Sequence, residues 1–157
     1  MTLHWRQPLQ TLACVCLFVI SAAAIAATPT TSSIQVEHAW IRWLPANLPV
    51  GGYATVRNDS DGSLRLTGAS SPDFGMVMLM QSRLADNDSS MVDAPFIDVP
   101  AHGQVKLAPG GYHLMLSHAR HSIKPGDKVP VTLHFANGAT LQVDFSVLPA
   151  NATGPSD

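Results

Sequence analysis

The chemistry this sequence could perform lies in a histidine and a set of methionines: His113 with Met115, Met91, and Met76, Met78 and Met80 on one strand. His113 and Met115 stand two apart in "GGYHLMLSH" (110–118), which alternates like a strand. Residues i and i+2 of a strand project from one side. Tyr112, Leu114 and Leu116 supply an apolar side, so His113, Met115 and Ser117 share the other. A second alternating run, "GMVMLM" (75–80), puts Met76, Met78 and Met80 opposite Val77 and Leu79, and Met91 follows the next polar turn. A thioether is soft and neutral, a poor ligand for zinc, calcium or magnesium. Its natural partner is Cu(I), which imidazole also suits. Three thioethers and one imidazole would leave bound Cu(I) with its single positive charge. Thioethers need no deprotonation, and outside the cytoplasm they resist oxidation better than thiolates. The competing interpretation is packing, since methionine is a common core filler. Each methionine, taken alone, is more often core than ligand. Taken singly, His38, His102, His118, His121 and His134 are ordinary surface or hydrogen-bonded residues, with His118 and His121 close enough only for adventitious metal contact.

The elements that must position these residues come from a chain of 157 residues with a formal charge of −2. That length suggests one domain, and the charge gives no field for nucleic acid or a membrane surface. Arg6, the apolar "TLACVCLFVI" and the small residues of "SAAAIAA" lay out a secretory signal over 1–26, cleaved before Ala27. Leu12 to Ala27 is marginal as an anchor, since a membrane helix needs about 20 apolar residues. A lipoprotein signal fits poorly because Cys14 comes early. Cys14 and Cys16 both leave with the signal, so the mature chain has no disulfide, thiol nucleophile or thiolate metal site. Its core must stabilise it, and about 130 residues can do so. A flexible leader (27–33), a folded domain (34–149) and a disordered tail (150–157) complete the expected layout.

Within the domain, strands are expected over 34–43, 53–58, 64–70, 75–84 and 112–118. A broken Pro-bounded segment covers 91–100, and 103–111 is a short strand and turn. A hairpin over 127–148 turns at Asn137-Gly138. Residues 44–52 read as a Pro/Gly loop, 58–63 and 85–90 as polar turns. No helical periodicity appears beyond the signal. Short strands with turns about every 8–12 residues point to an all-β sandwich or small barrel. The Asn-x-Ser/Thr triplets at Asn58, Asn87 and Asn151 decide nothing alone.

Ten residues separate Met80 from Met91, twenty-one separate Met91 from His113, and one separates His113 from Met115. This spacing resembles the signature of periplasmic PCuAC-type copper chaperones: His or Met, then Met, then His-x-Met. "AWIRWLP", "GGYATVRN", "LRLTGASSP", "VPAHGQVKLAPGGYHLML" and "PGDKVPVTLHF" are also similar to that family in order and character, over roughly 36 to 148. The resemblance implies a cupredoxin-like Greek-key domain holding Cu(I) through Met80, Met91, His113 and Met115. It further implies a monomeric periplasmic carrier that serves cytochrome oxidase copper centres, notably CuA, or another copper assembly factor. Met80 stands where many members have histidine, which makes the site softer; Met76 and Met78 could offer alternative thioethers, though they are expected to pack or to support the site from behind. The tail lacks the His/Met-rich extension of some relatives.

Two other classes stay in view. A copper buffer or resistance protein would use the same donors without targeted delivery, and a structural β-domain would use the methionines only for packing. An enzyme is not expected, because no H-E-x-x-H, G-x-S-x-G or phosphate-cradling loop occurs, and a blue-copper centre would need a cysteine thiolate.

Overall fold

The computed structural model describes residues 33–45, 48–85 and 88–155. The expected signal and most of the leader lie outside them. Ten strands follow one another: β1 (Ile34–Arg42), β2 (Val50–Asn58), β3 (Leu64–Ser70), β4 (Phe74–Ala85), β5 (Asp88–Asp93), β6 (Ile97–Val99), β7 (Gly103–Leu107), β8 (Tyr112–Ala119), β9 (Lys128–Phe135) and β10 (Thr140–Leu148). They form one continuous hydrogen-bonded sheet in the order β5-β4-β8-β2-β1-β10-β9-β3-β6, with β7 also paired to β2. All pairs are antiparallel except β1 with β10. The sheet curls so that both halves bury one core. Ile41, Val56, Leu114 and Leu116 come from one half, Leu66, Val131, Leu133, Phe135 and Phe145 from the other. The all-β, cupredoxin-like expectation holds.

Two segments differ from the expectation. "VGG" (50–52) belongs to β2, where the loop reading had placed it outside. The glycines are there for space, one on each face. A methyl group at Gly52 would stand 2.9 Å from Leu116 and 3.2 Å from Leu114 in the core, and one at Gly51 would strike the Tyr53 ring. The other is the supposed turn 85–90, whose second half opens β5.

Beyond β10, the Ala152 N–H donates to Pro149 O at 3.0 Å, and Arg42 Nη2 donates to Ala152 O at 3.3 Å. The start of the expected disordered tail thus makes a turn held to β1.

Asn58 is fully buried at the end of β2. Its Nδ2 donates to Gly62 O at 2.8 Å and to Pro100 O at 3.1 Å, and its Oδ1 accepts from the Ser60 N–H at 3.0 Å. This amide is the hub of the 58–63 turn, which explains the triplet there without glycosylation. Asn58→Ala would leave several of these groups unpartnered. It is expected to cost about 2–3 kcal/mol, read from urea unfolding.

Candidate metal centre

Strand register decides which side chains meet. On β4 and β8, Met80 stands opposite His113, Met78 opposite Met115 and Met76 opposite Ser117. On the other flank of β4, β5 sets Asp93 opposite Met80 and Met91 opposite Ser82. From the far side of β8, β2 brings Gly51 opposite Met115. Residues directly opposite in an antiparallel pair share a face, with Cβ atoms about 5 Å apart and diagonal neighbours about 7–8 Å apart. Met80, Met91, His113 and Met115 therefore lie on one face, and Leu79, Leu114 and Leu116 on the core side.

His113 is 5% exposed. Its Nδ1 lies 3.1 Å from Gly111 O. A carbonyl can only accept, so Nδ1 holds the proton of the neutral ring, and the Nε2 lone pair is left for a metal. The turn before β8 fixes that carbonyl. Gly110 takes φ 82°, the Ala108 N–H donates to Tyr112 O at 2.7 Å, and Gly111 O also accepts from the Ser82 N–H at 3.0 Å.

Aromatic rings wall the imidazole. The Tyr53 ring centroid is 6.4 Å from that of His113 and 4.6 Å from that of Trp40. The Arg42 guanidinium lies 5.5 Å from the Trp40 centroid and 5.6 Å from that of Tyr53, within cation–π range. Trp40 and Tyr53 are buried apart from the main core. Sequence reasoning missed this wall, because a bulge between Glu37 and Trp40 shifts the phase of β1. His38, at φ 52°, marks the bulge.

Arg42, Gly51, Tyr53, Met91, His113 and Met115 line an open depression of about 350 Å³. Met91 is 61% exposed and overhangs it from β5, while Met80 is 7% exposed, buried in the sheet beside His113. Three of the four expected ligands thus line one depression, and the fourth adjoins it by register. Among the described residues, no group of three or more His, Cys, Asp or Glu side chains could hold a metal. Met76 is exposed rather than packed.

His121 is occupied elsewhere. Its Nε2 lies 3.0 Å from Asp73 Oδ1, and Nδ1 lies 3.2 Å from Ser122 O. The Asp73 hydrogen bond, then the Ser122 carbonyl, raise its pKa above the ordinary 6.5. A raised folded-state pKa stabilises below the unfolded value, and the benefit is lost as pH rises through the folded midpoint. NMR titration of His121 is expected to show a midpoint above 6.5, and Asp73→Asn should bring it down toward that value.

This curled all-β sheet has the cupredoxin-like fold of solved PCuAC domains. The family model described as "Putative lipoprotein LpqE-like" matches residues 34–147, and the chain belongs to this LpqE-like family. It is 28% identical over 145 residues to the "Putative lipoprotein Lxx21020" of Leifsonia xyli subsp. xyli, covering 88% of this chain and 87% of that protein. The copper-bound PCuAC domain from PmoF2 is 27% identical, with a TM-score of 0.61 over 74% of this chain and 93% of that one. The Cu(I) form of DR1885 from Deinococcus radiodurans is 29% identical, with a TM-score of 0.60 over 83% of this chain and 85% of that one.

Proposed function

We propose that this protein binds one Cu(I) ion through Met80, Met91, His113 and Met115 and carries it outside the cytoplasm. The observation behind this reading is the register: paired strands set a buried thioether beside an imidazole of fixed tautomer, with two further thioethers on the same face. All four donors are neutral and three are soft, a set suited to Cu(I). The copper-bound relatives support the metal, and the lipoprotein descriptions of the family and its Leifsonia member support export. Cleavage before Ala27 remains part of this reading. Because Cys14 precedes most of the apolar segment, the mature chain would hold no lipid.

The exposed Met91 favours hand-over above storage. It can leave the metal first and open one coordination position while Met80 and His113 stay fixed in the sheet. A cytochrome oxidase copper domain, such as the CuA subunit, is the acceptor this reading names.

The test is a Cu(I) competition titration of residues 28–157 against a chromophoric chelator under reducing conditions, followed by mixing with the apo acceptor domain. One tight equivalent, passed to the acceptor faster than from the chelator alone, is expected. Met91→Leu nearly conserves volume, so it should weaken Cu(I) binding while costing less than about 1.5 kcal/mol of stability. An unchanged affinity would remove Met91 from the site. A tight equivalent that never transfers would leave a copper buffer.

A further inference from the structure

The outer face of β4 carries one more methionine pair than the four-donor centre uses. Met76 is 44% exposed, Met78 is half-buried and Met80 is nearly covered, so exposure falls stepwise toward the centre. Packing does not account for Met76. An exposed strand position ordinarily favours a β-branched residue, and a solvent-facing thioether buries little. Among the described residues, the exposed large hydrophobics are Leu48, Met76, Met91 and Phe96, and both methionines are on this face.

Register ties the pair to the centre. Met78 stands directly opposite Met115, itself one of the four donors, and Met76 stands opposite Ser117. Residues i and i+2 of a strand are about 7 Å apart, so Met76, Met78 and Met80 form evenly spaced soft donors. β5 pairs with β4 from Met80 onward and the Ala94 N–H donates to Leu79 O at 2.9 Å, so β4 has no strand partner on that flank over 74–78 among the described residues.

We propose that Met76 and Met78 form an auxiliary Cu(I) station beside the main centre, through which the ion enters and leaves. The proposal rests on the Cu(I) reading of that centre. The ion is first held by Met76 and Met78. It then exchanges the Met76 sulfur for that of Met115 and the Met78 sulfur for that of Met80, and finally adds the His113 and Met91 donors. Each of the two exchanges forms one copper–ligand bond as another breaks, and the last step adds two bonds as the two-coordinate ion becomes four-coordinate; no electron or proton moves. With the main centre full, the station holds a second, weaker equivalent.

The test compares wild type, the Met76→Leu/Met78→Leu double variant and His113→Ala. Cu(I) is titrated against a strong and a weak chelator, with the methionine methyl groups followed by NMR. In wild type, one tight and one weaker equivalent are expected, and the Met76 and Met78 methyl signals should respond to the second. The double variant should keep the tight equivalent within about 2-fold, since leucine nearly conserves volume. It should lose the weak equivalent and load several-fold more slowly. His113→Ala should lose the tight equivalent and keep the weak one. A wild type that stops at one equivalent, or a weak equivalent that survives in the double variant, overturns the station. A wild type without the tight equivalent overturns the main centre, and the station is then decided by whether the double variant abolishes the weak binding.

Discussion

Replacing His113 with alanine is expected to lower Cu(I) affinity at least about 100-fold, since even supporting residues around a metal typically account for 10- to 100-fold. The imidazole is the one nitrogen donor of the proposed set, and its Nε2 is left free because the Nδ1–H donates to Gly111 O. No neighbour replaces it, since Tyr53 and Met80 beside it supply no second imidazole. The fold should survive. Gly111 O keeps its bond from the Ser82 N–H, and the loss of one hydrogen bond costs about 0.5–1.5 kcal/mol. Chelator competition and a thermal melt on one preparation separate the two effects. His113→Met should recover part of the affinity by restoring a soft donor. Equal affinity for wild type and His113→Ala would mean that copper, if bound, sits elsewhere.

The largest loss of stability is expected at Phe145, in the apolar core. Its ring is fully buried on β10, opposite Val129 of β9, and β10 is also the strand that pairs in parallel with β1. Truncating a buried Phe to Ala removes transfer energy and leaves a cavity, together about 3–5 kcal/mol. Domains of this kind have about 5–15 kcal/mol in total, so Phe145→Ala should lower Tm by about 10–20 °C. Phe145→Leu should lose much less. A calorimetric shift of only a few degrees for the alanine variant would show that the core collapses around the gap.

The strands that alternate cleanly could be read from the chain. β3 begins and ends where "LRLTGAS" does, and β8 differs from its expected span by one residue. The sequence also put Met80, Met78 and Met76 on one side of a strand and His113 with Met115 on one side of another. It could not show that Met80 stands opposite His113, because pairing depends on contacts between distant segments. Gly51 and Gly52 misled for a physical reason: glycine usually marks a turn, and here two bulky neighbours, Tyr53 and Leu116, claim the Cβ positions. Trp40 and Arg42 escaped because one extra residue in β1 changes which side chains face inward.

That extra residue has a consequence for how the aromatic wall tolerates change. Before the bulge, Ile34 and Val36 are the inward residues of β1; after it, Ala39 and Ile41 are. The strand is thus two half-strands out of step, joined at a left-handed histidine. Straightening the joint with every residue kept, so that the chain alternates throughout, would turn either Trp40 and Arg42 or Ile34 and Val36 to the wrong side, whereas deleting the extra residue would leave a regular ladder with both halves facing as they do now. The joint works as a phase shifter: it keeps Ile34, Val36, Ala39 and Ile41 on the core while Trp40 and Arg42 stand against Tyr53 on the other face.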